Sequence, residues 1–259
     1  MRFTLILLLL LVACVPQPMP APSAIQEISG VVQGEMRLAG EVLLVGDLLV
    51  PQGSRLIIAA GTTIKVQASE ATKIDPEFLS SQIEILVRGS LRVEGTATQP
   101  VTFAPAEITV DDIPQWAGIL LDGASDSALQ HLRISAAETG LLLIATDAQI
   151  TAAHIEGCRY GIVVQGGAPT IAQSTLVAGE GGLFLWNSAR PTLTDLLILD
   201  NAEEGLFIDR SSSPVLGPCR LERNAIGLVA ANTVAIDSLI LISNGEDLRR
   251  LSDRNGVQP

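Results

Sequence analysis

Histidine is almost missing from this chain, with His131 and His154 as its two examples. Cysteine is scarce as well: Cys14, Cys158 and Cys219 are the full set. No spacing among these residues suits a metal site, so no metal and no other cofactor is expected. Basic residues are also few, 16 against 28 acids, for a net charge of −12. That balance excludes nucleic acid as a partner and excludes electrostatic adhesion to anionic lipid. It also disfavours polyanionic ligands unless a local patch opposes the trend. A long hydrophobic run is lacking too. The stretch Leu5 to Val12 is too short to cross a bilayer as a helix and reads as the core of a secretory leader.

What is present is a count. A glycine followed by three apolar residues recurs at Gly118, Gly140, Gly161, Gly182, Gly205 and Gly227, at intervals of 22, 21, 21, 23 and 22 residues. Each repeat holds two further apolar bursts, such as "PTIA" at Pro169 and "STLV" at Ser174, separated by Gly, Ser, Asn, Asp and Pro. Bursts this brief are too short for helices and suit short strands bounded by turns. Three short strands per repeat describe a coil of a parallel β-helix. One coil cannot bury its apolar side chains alone, but stacked coils bond at about 4.8 Å and close a continuous core. The repeated glycine then marks a corner that needs a positive φ or has no room for a Cβ. Asn201 and Asn224 both fall 19 residues after their glycine, where stacked amides can bond to one another. A leucine-rich repeat has a similar period. "LTDLLILDN" from Leu193 fits its pattern, but Ser174 and Ala153 stand where leucine is required, and "GLFIDRSSSP" reads as a second strand where a convex helix should be.

Two resemblances extend this reading. "LVAC", Leu11 to Cys14, resembles the lipobox of bacterial lipoproteins. The resemblance implies a signal peptide over 1–13, a lipid on Cys14, and a place in the bacterial cell envelope, on the outer membrane or cell surface. Four prolines in "VPQPMPAPSA" make 14–24 an extended tether of about 30 Å. "VPQGSRLIIAAGTTIKV" from Val50, "GSLRVEGTATQPVTFAP" from Gly89 and "WAGILLDGASDSALQHLRIS" from Trp116 resemble coils of right-handed, pectin-lyase-like parallel β-helices. The expected fold is therefore all-β, a right-handed parallel β-helix over 25–245 with about 8–10 coils of about 22 residues. Residues 67–82 interrupt it as a loop insertion with a helical turn after Pro76, and the charged 246–259 forms a cap or tail. Cys158 and Cys219 fall three coils apart, about 14 Å, too far for a disulfide.

The chemistry is sparser. Polygalacturonases of this architecture carry clustered aspartates and Gly-His-Gly, and pectate lyases use aspartates to hold calcium; the later coils hold neither Gly-His-Gly nor an Asp-Asp pair. Asp122 and Asp209 share a register four coils apart, about 19 Å, beyond the reach of a carboxylate pair. The best acidic group is Asp200, Glu203, Glu204 and Glu222, in which Asp200 and Glu222 occupy nearly equivalent positions on adjacent coils and are the candidate catalytic residues. Along the Gly-led strand, alternation turns Ile162, Leu183 and Leu206 inward. Leu120, Leu142, Val163, Phe184, Phe207 and Val229 then face out as an apolar stripe about 25 Å long. With Trp186, Asn187, Asp209 and Arg210 beside it, this stripe is the candidate ligand surface, where aromatic faces stack on a sugar and the polar groups bond to it. The expected function is a lipid-anchored, non-catalytic surface β-helix that binds or scaffolds envelope polysaccharide or protein. The alternative is a polysaccharide lyase or glycoside hydrolase acting at the acidic turn. The lipid anchor predicts that intact mass of the protein purified from membranes shows acyl chains on a chain beginning at Cys14; an unmodified Cys14 removes the anchor.

Overall fold

The computed structural model describes residues 25–68, 80–107 and 115–251. The leader, Cys14, the tether and the expected helical turn after Pro76 lie outside them. Every regular element among the described residues is a strand, and the strand pairings are parallel. They wind into about nine turns of about 22 residues.

One coil shows the path. Gln149–Thr151 lies on a first face, His154–Glu156 on a second and Tyr160–Gln165 on a third. Ala152 makes the first corner with a φ of 55° and Gly157 the second with a φ of 59°. Gly166 and Gly167, both at 71°, turn the chain back to the first face. In neighbouring coils the first corner falls on His131, Gln173 and Asp195, and the second on Ala136, Ala178, Asp200 and Arg223, all with left-handed φ. Such a conformation costs a residue with a Cβ roughly 1–2 kcal/mol. It persists because each corner N–H donates to a carbonyl one coil further on: Ala152 to Ala172, Gln173 to Thr194, Asp200 to Glu222. The first face forms an eight-stranded sheet. The other two merge into one 18-stranded sheet, because Gln26–Val31 and Glu41–Val50 run round the corner between them.

The stack turns sequence offsets into vertical columns. Ile119, Leu141, Ile162, Leu183, Leu206 and Leu228 pair in register and are all buried. Leu121, Leu143, Val164, Leu185 and Ile208 form a second buried column beside them. Each such side chain contributes about 1.5–3 kcal/mol by leaving water. The Gly-led repeat is explained by space and not by φ. Gly182 has an ordinary φ, but a Cβ there would stand 2.4 Å from the carbonyl oxygen of Gly205 and 2.4 Å from the Ile198 side chain. The same collision meets Gly161 against Gly182 at 2.6 Å and Gly205 against Gly227 at 2.9 Å. Gly118 alone of the six has a positive φ, 117°.

Just past the second corner the expected amide stack is present and one member longer. Asn201 Nδ2 donates to Asn224 Oδ1 at 2.7 Å, and Asn224 Nδ2 donates to Asn244 Oδ1 at 3.1 Å. Their oxygens accept the backbone N–H of Gly179, Asn201 and Asn224 in turn. Spare amide protons go to the carbonyls of Leu199, Ile198 and Leu221. Ser174, which breaks the leucine pattern, also links coils through its side chain. It is buried, accepts the N–H of Ala153 at 3.1 Å and donates to Ala172 O at 2.7 Å. Cys158 and Cys219 are free and buried, and burial pushes the Cys158 thiol up to about 12.

The link between the second and third faces is long in two coils, from Val66 to Glu84 and from Pro105 to Trp116; the first falls at the expected insertion and the second has no expectation behind it, and the flanking strands still pair in register. Glu246–Arg250, within the expected cap or tail, is a strand that pairs in register with Ile226–Ala230. Gly182→Ala is expected to cost about 2–3 kcal/mol in urea unfolding by forcing coils apart. Gly123→Ala, at a φ of 59° with nothing within 4 Å, costs about 1 kcal/mol. Equal losses would remove the close-approach account. Asn224→Ala is expected to cost about 2–4 kcal/mol, because it strands amide and backbone groups on both adjoining coils.

Candidate functional site

The third face carries the candidate ligand surface. Alternation along Gly181–Trp186 sends Leu183 and Leu185 into the core and Phe184 and Trp186 outward. Phe184 pairs with Val163 on one side and Phe207 on the other, as the offsets require. The rings then cluster. Trp186 and Phe207 stack with centroids 4.5 Å apart and planes at 27°. Phe184 lies 5.8 Å from Phe207 at 19° and 6.5 Å from Trp186 at 8°. Tyr160 meets Phe184 edge-on at 5.3 Å, the geometry the ring quadrupoles favour.

Two residues make the cluster possible without having been singled out in the sequence. Gly181 leaves the space over its own strand into which the Phe184 ring folds; a Cβ there would stand 2.2 Å from that ring. Tyr160 sits in register with Gly181 on the preceding coil. Arg159 lies over the Tyr160 ring, 5.4 Å from its centroid, and bonds to Glu138 and Glu180 on the coils either side, both at 2.9 Å. Those carboxylates hold the guanidinium pKa well above its usual value. The doubled glycine "GG" at 181–182 is the sequence signal that two separate clearances are needed.

The expected open stripe is not open. Its register is as read, but Leu120, Phe184 and Val229 are buried and Leu142, Val163 and Phe207 half-buried. The rings shield one another, and Phe184 keeps 8% of its surface. Trp186, at 38% exposure, is what this cluster presents to solvent.

The polar neighbours are mostly committed to the turn. Asn187 has a φ of 54°, and its backbone N–H, not its side chain, meets the Asp209 carboxylate at 3.0 Å. That carboxylate also accepts the N–H groups of Ser211 and Ser212, at 3.0 and 2.7 Å, and the Ser211 hydroxyl. Burial raises the Asp209 pKa, but these hydrogen bonds outweigh it and hold the carboxyl below the usual carboxylate range. Arg210 is exposed at the same turn.

Asp200 and Glu222 are one position out of register, since Leu199 pairs with Glu222. Arg223 stands between them. Its guanidinium takes both Asp200 oxygens at 2.7 Å and also contacts Glu222, which Arg220 bonds from the other side at 2.5 Å. The Arg223 hydrogen bonds keep the Asp200 carboxyl below its ordinary value. A general acid needs the opposite shift.

Among the described residues no three His, Cys, Asp or Glu side chains group as a metal ion would need, and no helix is long and apolar enough to cross a membrane. The sequence profile of the family described as right handed beta helix region matches residues 109–247, more than half of the chain. The chain belongs to the right-handed β-helix family. This supplies the hand of the coil, and the matched span takes in the aromatic cluster and the asparagine column of this β-helix. No curated protein and no solved structure matches the chain.

Since the folded Asp209 carboxyl is held below the ordinary value near 3.9, its stabilisation is whole above about pH 4 and lost as pH falls through the lower folded value. Asp209→Ala is therefore expected to lower stability by about 1–2 kcal/mol at pH 7, as hydrogen bonds to a charged group do. The gap to the parent should narrow below pH 4, measured by urea unfolding at both pH values.

Proposed function

We propose that this protein is a non-catalytic β-helix of the bacterial cell surface, held to an envelope membrane by a lipid on Cys14, that binds envelope polysaccharide on a platform centred on Trp186. The observation that carries the reading is the near-parallel, stacked set of Phe184, Trp186 and Phe207, with interplanar angles of 8°, 19° and 27°, which leaves Trp186 exposed at 38%. Aromatic planes of this kind match the apolar face of a sugar ring, and the exposed Trp186 is where such a ring would land. Burial of Phe184 between its neighbours favours the platform by holding it in place before a ligand arrives. Arg210 at the rim supplies donors for sugar hydroxyls.

Absence of catalysis is supported by the same geometry. The candidate carboxylates Asp200 and Glu222 are engaged by Arg223 and Arg220, and the Asp209 carboxylate by its own turn. Each is therefore poorly placed to exchange a proton with a glycosidic oxygen. Of the two ligand classes, sugar is favoured over protein, because the stripe is mostly covered, with Trp186 its one exposed large side chain, and offers too little apolar area for a stable protein interface.

Retention on insoluble cell-wall polysaccharide is expected to fall about tenfold in Trp186→Ala, a change of about 1.4 kcal/mol that lies within the worth of aromatic stacking, while Trp186→Phe keeps part of it. No new reducing ends or unsaturated sugars should accumulate with the parent protein. Unchanged retention in Trp186→Ala disposes of the platform, and released sugar disposes of the non-catalytic reading.

A further inference from the structure

Both histidines of the chain come together, on a face other than the aromatic one. A groove of about 420 Å³ on the second face is lined by Thr96, Thr102, His131, Arg133, His154 and Glu156, among others. The topology assembles it. Arg133 and His154 are paired neighbours on adjacent coils, about 4.8 Å apart along the stack. Thr102 pairs with Arg133 from the coil before. His131 is the left-handed corner residue that leads into the Arg133 strand.

Most arginines of the described residues pair with acids, and Arg133 and Arg190 are exposed exceptions, of which only Arg133 lines the groove. Eight arginines of the described residues bond to carboxylates. Arg133 is exposed and makes no ion pair among the described residues, in a chain of net charge −12. The His131 side chain makes no hydrogen bond among the described residues either. His154 Nε2 lies 3.4 Å from Glu156 Oε2, which orients the ring and leaves Nδ1 for another partner. The turn 95–100 and the strand Val101–Pro105, which bring Thr96 and Thr102 to the groove from the coil before, contain no charged residue.

We infer that this groove is a binding site for a phosphoryl group carried on a sugar. A guanidinium presents a planar fork to two oxygens of an oxyanion. Imidazole N–H groups from the corner and from the next coil approach the remaining oxygen from other directions, which suits a tetrahedral anion better than a planar carboxylate. Thr96 and Thr102 lie at the edge for sugar hydroxyls. The site is independent of the Trp186 platform, being on a different face of the coil.

With two histidines in the whole chain, their imidazole carbon–proton NMR signals report on the groove directly. Titrating the intact protein with glucose 6-phosphate is expected to shift both signals saturably, about tenfold more tightly than inorganic phosphate, while glucose shifts neither. Equal affinity for the two phosphates removes the sugar and leaves a site for free phosphate. Arg133→Gln should weaken binding at least tenfold, whereas Arg190→Gln, at an exposed arginine outside the groove, should leave it unchanged. Absence of a saturable shift, equal shifts with glucose, or binding that survives Arg133→Gln would overturn the assignment. Trp186→Ala leaves this titration unaltered, so the two sites succeed or fail separately.

Discussion

The structure rests on how closely one coil may lie on the next. At the third-face corner the backbone of each coil presses on the glycine above it, and the gap is too narrow for a methyl group. The missing Cβ lets the coils reach the spacing at which the parallel ladders bond and the inner columns interlock. The same stacking explains why the non-glycine corners keep left-handed conformations. Their N–H groups find acceptors one coil away, so the stack holds a geometry that an isolated turn would abandon. No single coil has this stability, and each depends on its neighbours in the manner of repeat proteins generally.

Vertical stacking has a second consequence. Any residue type repeated at the coil period becomes a column, and a column has properties that its members lack alone. Aliphatic side chains become a core. Asparagines become a chain of amides in which every donor and acceptor is used, which is how polar groups survive inside the β-helix. Charged residues become ladders, as where Arg159 ties Glu138 to Glu180 across three coils. Aromatic residues become a cluster whose members cover one another. Some of the acids are paired in this way, with a carboxylate on one coil meeting an arginine on another.

That arrangement bears on function. The Asp200, Glu222 and Asp209 carboxylates are held by arginines or by turn hydrogen bonds, while an exposed indole lies on one face and an exposed arginine and two imidazoles line a groove on another. The first is the surface proposed for stacking and the second the one proposed for an anion.

Much of this was legible in the sequence, for a physical reason. A strand alternates strictly and the coil repeats nearly strictly, so inward and outward positions, the columns of Ile162, Leu183 and Leu206, and the amide stack of Asn201 and Asn224 follow from counting. The parallel architecture and the free state of the two cysteines follow from the same count. Exposure did not follow, because a count gives the direction of a side chain and not what lies over it. The ring of Phe184 points outward yet is covered, since Gly181 lets it fold back and Tyr160 and Trp186 close around it. Nor could counting separate a glycine needed for its φ from one needed for its missing Cβ. Pairing of Arg223 with Asp200 depends on side chains reaching between coils, and the placing of His131 and His154 on one groove depends on how the coils stack. Period and the pattern of short apolar bursts determined the stacked parallel coil; contact between coils, where one residue of offset changes every partner, decided how its surface groups are engaged.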